Sequence, residues 1–167
     1  MMDRGFVGDM SFLRGGRQLY LAYGSNANLT NMLARCPRAI PIGTVCLPGY
    51  ELVFRGIANV IKKRNARIFC VLWSITPRCE ALLDWYEEFP RLYVKSYIRS
   101  RKYRRPMMMY ALKYPLLNKY PAENYIKCIG AGYASFNIPE EQLTSALGRS
   151  TKGKVNQYST PRFNYKV

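Results

Sequence analysis

Apolar and polar positions change their period along the chain, and each change marks an element. LYLAYG (19–24) alternates as a half-buried strand does. NLTNMLARC, directly after it, reads as a short helix with Asn26 or Asn28 placed to cap it. AIPIGTVCLPGYELVF (39–54) has strand residues broken at Pro41, Gly43 and Pro48-Gly49, which predicts two short strands around a turn. ANVIKKRNARIFCVLWSIT (58–76) predicts a hairpin, with arms ANVI and IFCVLWSI joined by the charged turn KKRNAR. PRCEALLDWYEE (77–88) predicts a helix: Thr76 can cap it, Pro77 suits its first turn, and Leu82, Leu83 and Tyr86 form an apolar face. YVKSYIRS (93–100) and MMMYALKY (107–114) read as strands. PAENYIKCIGAGYASF (121–136) and PEEQLTSAL (139–147) read as helices, each opening on Pro with acids in its first turn. Strand, helix, several strands, helix, two strands, two helices is the order of a mixed α/β or an α+β fold, here read as α+β, around a small, mostly antiparallel and partly closed barrel.

Composition bounds the rest. The 167 residues fit one domain, and 49% hydrophobic content is enough for a packed core. No run of 18 apolar residues occurs, so no transmembrane helix and no membrane partner are expected. Residues 1–18 make a poor signal peptide and read as a flexible leader, 19–148 as the folded domain, and 149–167 as a basic tail. Cys36, Cys46, Cys70, Cys79 and Cys128 form no CxxC pair, which points to buried reduced thiols in a cytoplasmic protein rather than to disulfides or zinc. Histidine is absent, which excludes Ser-His-Asp and Cys-His catalysis within the chain. Acid–base chemistry near neutral pH then falls to a carboxylate, Lys, Tyr or Cys.

The net charge is +16, a field that attracts anions. Residues 91–105 hold seven basic side chains and no acid, and 149–167 hold five and no acid. Arg99, Arg101, Lys102, Arg104 and Arg105 make a candidate polyanion patch. Aromatic residues interleave with it, as suits nucleic acid, although a solvated strand face has the same composition.

Two short stretches carry candidate chemistry. In YGSN (23–26), Gly24 permits close backbone approach, and consecutive N–H groups at a strand exit can form an anion cradle. A plain strand-to-helix connector is the alternative. In LLDWYEEFPRLY (82–93), Glu87 and Glu88 end a helix, and at 100° per residue only one of them can face inward. A carboxylate enclosed there by Trp85, Tyr86, Phe89 and Tyr93 has its pKa raised by desolvation. A solvated acidic helix end is the alternative.

YLAYGSNANLTNMLARCP, GYELVFRGIANV, VLWSITPRCEALLDWYEEFPRLY, YPAENYIKCIGAGY and LTSAL follow one another in an order that resembles the γ-glutamyl cyclotransferase superfamily, including its AIG2-like and γ-glutamylamine cyclotransferase branches, over about residues 19–147. The resemblance implies a six-stranded barrel with flanking helices. It implies an enzyme that cleaves a γ-glutamyl amide into 5-oxoproline and a free amine, with neither metal nor cofactor. It assigns Glu87 as the catalytic carboxylate, Tyr23, Gly24, Ser25 and Asn26 as the substrate cradle, and Tyr93 as a pocket wall. Glu88 departs from the pattern, standing where the family often has Gly; a second carboxylate there is expected to raise the Glu87 pKa or repel substrate. The alternative is an inactive binding module on the same scaffold, taking a small anionic ligand or a polyanionic partner, nucleic acid or acidic protein.

Overall fold

In the computed structural model, which describes residues 14–150, β1 (Gln18–Ala22) is buried on both faces from Leu19 to Ala22. It lies in the middle of a five-stranded sheet of order β2-β3-β1-β5-β4, where β2 is Ile40–Phe54, β3 Ala58–Ile75, β4 Tyr93–Arg99 and β5 Pro106–Leu112. β1 runs antiparallel to β3 and parallel to β5, and the β2–β3 and β4–β5 pairs are antiparallel. Helices α1 (Leu29–Arg35), α2 (Pro77–Tyr86), α3 (Glu123–Ser135) and α4 (Glu140–Gly148) flank it. Trp73, Phe54, Tyr133, Leu21, Leu72 and Met108 are among the largest fully buried side chains. Phe54, Leu21, Leu72 and Met108 each contribute roughly 1.5–3 kcal/mol through burial.

The strands from 39 to 76 differ from the sequence expectation. Residues 40–54 form one strand instead of two, because Gly43 (φ 146) and Gly49 (φ 81) bend the backbone without reversing it. Residues 58–75 form one strand instead of a hairpin, and the reversal comes earlier, where Arg55 N–H donates to Ile57 C=O. KKRNAR is not a turn. Pro48 pairs with Arg67 and Tyr50 with Lys62, so residues 63–66 loop out opposite Gly49 as an exposed bulge. Charge marked solvent exposure there, not chain reversal.

Five strands are present among the described residues where the resemblance implies six, and β2 and β4 are the edges of the ladder. The ladder itself is open, and side chains bridge the far half of β3 to β4 and β5. Tyr93 Oη donates to Ala58 C=O at 2.6 Å, and Asn59 Oδ1 accepts from Leu112 N–H at 2.9 Å. A single parallel bridge, Arg55 to Lys119, stands where a sixth strand would add. The far half of the β2–β3 hairpin therefore curls over the end of the sheet where β1 exits and β4 begins. The leader expectation falls mostly outside the described residues, as do residues 151–167 of the tail. No helix among the described residues is long and apolar enough to cross a membrane.

Three cysteines, Cys36, Cys70 and Cys79, are buried, but Cys46 is exposed and Cys128 half-buried; all five are free. Burial pushes the Cys36 thiol up to about 12, with the neighbouring Cys79 adding to the effect.

Candidate active site

The end of α2 decides which of two adjacent carboxylates turns inward. Thr76 caps the start of the helix by accepting from Cys79 N–H at 3.1 Å, and Pro77 occupies the first turn. At the other end Glu88 N–H donates to Trp85 C=O and Phe89 N–H to Asp84 C=O. That bond pair is a Schellman closure, which places Glu88 at the left-handed position with φ 50. Glu88 turns away from Glu87 to Arg91 at 3.2 Å, with 42% of its side chain exposed, and Glu88 and Arg91 stand at the mouth of the cavity that Glu87 lines. Glu87 turns inward.

Inside, Glu87 Oε1 accepts from Asn26 Nδ2 at 2.8 Å. Asn26 is buried and has no freedom to rotate away. Its Nδ2 also donates to Tyr20 Oη at 3.0 Å, and its Oδ1 accepts from Arg35 Nη1 at 2.8 Å. Arg35, in the last turn of α1, lies 3.8 Å over the ring of Tyr86. Tyr86 in turn shares a hydrogen bond with Ser25 Oγ at 3.2 Å. A carboxylate on α2 is thus tied to the exit of β1 across 61 residues of sequence.

The β1 exit is a 3-10 turn, Ser25–Ala27, held from behind by α3. Its first bond is Ala27 N–H to Gly24 C=O, so the N–H groups of Ser25 and Asn26 have no acceptor within the turn. A Cβ on Gly24 would lie 3.1 Å from Ala58 Cβ and 3.2 Å from Tyr125 Oη, so only backbone fits there comfortably. Behind the turn, a Cβ on Gly132 of α3 would meet Ala27 C and Asn28 N at 2.7 Å. Tyr133 Oη fixes the loop further by donating to Tyr23 C=O at 2.7 Å.

Tyr23, Gly24, Ser25, Asn26, Glu87 and Tyr93 all line one cavity of about 630 Å³, in the size range of small-molecule sites. Leu82, Trp85 and Phe89 stand at its rim, 43%, 67% and 38% exposed. Burial pushes Glu87 up to about 7, against the opposing pull of Arg35 and the Asn26 hydrogen bond. Glu88 has no part in that shift, contrary to expectation, because it faces Arg91 instead. Burial, reinforced by neighbouring groups, also raises Tyr23 and Tyr93 well above the ordinary phenol range. Both hydroxyls already donate to backbone carbonyls, Tyr23 to Tyr110 and Tyr93 to Ala58, each at 2.6 Å. They are walls of the cavity and not free proton donors. Asp84 is similarly occupied: it accepts from Tyr110 Oη at 2.6 Å and from Lys95 Nζ at 2.8 Å, and Lys95 also reaches Glu80 at 2.6 Å.

The basic patch lies elsewhere. Arg99, Arg101, Lys102, Arg104 and Arg105 belong to the end of β4 and the β4–β5 turn, at the opposite end of the sheet from the cavity.

The family model for γ-glutamyl cyclotransferase, AIG2-like, matches residues 20–128. The chain belongs to this family. No curated protein matches the sequence. Among solved structures, a γ-glutamyl cyclotransferase superposes with a TM-score of 0.65 at 21% identity, covering 84% of this chain and 94% of that one. An uncharacterized protein from Homo sapiens gives 0.65 at 19% identity, with the same 84% and 94% coverage. YkqA from Bacillus subtilis gives 0.68 at 19% identity over 83% of this chain, which spans 56% of YkqA. Likeness at these identities carries the cyclotransferase fold. The matched span includes the YGSN turn, α2 with Glu87, and Tyr93.

Sequence reasoning passed over Arg35, Tyr20 and Gly132. Arg35 and Tyr20 carry no local signature, since their roles exist only once α1, β1 and α2 meet. Gly132 did leave a trace: the GAG of IKCIGAGY puts glycine inside an otherwise good helix, a mark of close backbone approach.

Proposed function

We propose that this protein is a γ-glutamyl cyclotransferase-like enzyme, cleaving a γ-glutamyl amide by attack of the substrate's own α-amine to give 5-oxoproline and a free amine. Support comes above all from one observation: a carboxylate raised to about 7 is held 2.8 Å from the side chain of the β1-exit turn, inside a cavity that turn also lines.

The reaction asks little of the protein. Nucleophile and electrophile sit on one short chain, so folding the substrate supplies much of the rate by positioning. The α-ammonium has a reference pKa of roughly 7.7–8.0 and must lose a proton before it can attack. Glu87, ionised above about 7, accepts that proton. The new N–C bond forms at the γ-carbonyl and the amide C–N bond breaks. On the way to the lactam N–H the substrate nitrogen gives up two protons, and the departing nitrogen takes both and leaves as an ammonium. One carboxylate shuttling between the two nitrogens suffices. The N–H groups of Ser25 and Asn26 serve the substrate carboxylate or the developing oxyanion. Asn26 and Arg35 hold Glu87 and keep its pKa from rising further. The exposed Leu82, Trp85 and Phe89 flank the side on which a leaving amine departs.

The test is 5-oxoproline release from a panel of γ-glutamyl amines by the wild type and Glu87→Gln. The proposal expects turnover of at least one member and a drop of about 10²–10⁴-fold in the folded variant. An inactive binding module on this scaffold gives no turnover with any member, and unaltered ligand retention in Glu87→Gln.

A further inference from the structure

The sheet puts two chemistries at its two ends. The cavity lies where β1 exits and β4 begins. The opposite end gathers the start of β1, the end of β3, the start of β2 and the β4–β5 turn, as the pairs Gln18–Ile75, Ile40–Ser74 and Arg99–Pro106 require. Nearly everything charged there is basic. Arg17 precedes β1, Arg38 precedes β2 and Arg78 opens α2. Arg17 Nη2 donates to Arg38 C=O at 2.6 Å, and Arg105 Nη1 donates to Arg17 C=O at 3.3 Å, which ties the group together. The turn adds Arg99, Arg101, Lys102 and Arg104.

The ion pairs seen among the described residues, Arg91–Glu88, Lys95 with Glu80 and Asp84, and Arg149–Glu51, involve none of these cations. The turn also encloses an open depression of about 640 Å³ lined by Arg99, Ser100, Arg101, Arg104, Arg105 and Pro106. Tyr97 is 55% exposed and lies two residues from Arg99, on the same face of β4 as that lining residue. A zwitterionic γ-glutamyl substrate needs none of this, and it would bind at the other end of the molecule.

We propose that this end of the sheet binds the backbone of a single-stranded nucleic acid. Arginine predominates over lysine, and the planar guanidinium fork matches phosphate oxygens two at a time. A basic depression beside an exposed aromatic ring is the arrangement that follows a single strand, phosphates in the groove and a base on the ring. An anionic membrane would call for a broad apolar surface around the cations, whereas Ile40 and Tyr97 are the large apolar side chains exposed at this end among the described residues.

The test is fluorescence anisotropy of a labelled 20-nucleotide single strand against full-length protein at several salt concentrations. Four to five phosphate contacts predict a log–log slope of about −3, so a fourfold rise in salt weakens binding about 60-fold. The quadruple variant Arg99→Gln, Arg101→Gln, Lys102→Gln, Arg104→Gln should lower the slope by about 0.7 per lost contact. Tyr97→Ser should weaken binding at unchanged slope. Should the quadruple variant fail to fold, Arg101→Gln alone, on an exposed turn residue, must still lower the slope by about 0.7. An unchanged slope in the turn variants overturns the proposal and moves any binding to the tail. Equal binding of polyglutamate or of phosphatidylserine vesicles at the same salt overturns it too, in favour of an acidic protein or a membrane surface.

Discussion

Glu87→Gln should slow turnover by about 10²–10⁴-fold and make the protein more stable, and the gain in stability should appear only at higher pH. The carboxyl titrates at about 7 in the folded chain against an ordinary 4.5. Between those two values the folded state retains a proton that the unfolded state has released. Stability therefore falls as pH rises through that window, and the whole cost is present above about 7. The separation corresponds to about 3 kcal/mol. Gln has the shape of the neutral acid and bears none of this cost. The variant should match the wild type near pH 4 and exceed it by about 3 kcal/mol at pH 8, which raises Tm by roughly 6–12 °C in a domain of this size. Urea unfolding of both proteins at the two pH values measures the difference, provided the m-values agree. An offset that is the same at pH 4 and pH 8 would refute the reasoning, because it would locate the effect in packing and not in an ionised buried carboxylate.

Arg35→Met removes the cation that holds the Glu87 pKa down, so the acid limb of the activity profile should move to higher pH. Gly132→Ala forces a Cβ to within 2.7 Å of the backbone of Ala27 and Asn28; it should cost about 1–3 kcal/mol and lower activity with it, as thermal melts and a 5-oxoproline assay would register. Glu88→Gly relieves a left-handed residue, worth about 1–2 kcal/mol, against a glycine entropy cost of about 0.5–1 kcal/mol; the exposed ion pair with Arg91 adds little either way. A variant at least as stable as the wild type, with turnover intact, is the expected outcome in unfolding and rate measurements.

Much of this arrangement was legible in the sequence because it is local. Thr76 caps α2 as expected, and of the two candidate caps for α1, Asn26 and Asn28, it is Asn28 that caps the helix. That only one of Glu87 and Glu88 turns inward agrees with the expectation, but the split is made by the Schellman closure past the end of α2, where Glu88 takes the left-handed position that favours glycine. The β2–β3 arm was misread because Pro48, Gly49 and KKRNAR are turn-like by composition, whereas here they make a bulge on a long ribbon. Whether glycine bends a strand or ends it depends on what the partner strand does, and single-strand patterns do not contain that. The convergence of Arg35 and Tyr20 with Glu87 was illegible for the same reason, and of the hold of α3 on the YGSN turn only the glycine of GAG left a mark. They arise from contacts between elements far apart in the chain.

In the proposed reaction an ionised Glu87 drives ring closure from within the cavity. The pH dependence of kcat/KM for 5-oxoproline release, measured on wild type and Arg35→Met, tests it most directly. A rise with pH through an apparent pKa near 7 is expected in the wild type, displaced upward in the variant. A wild-type profile flat from pH 5 to 9, or a limb that ignores Arg35→Met, would contradict it.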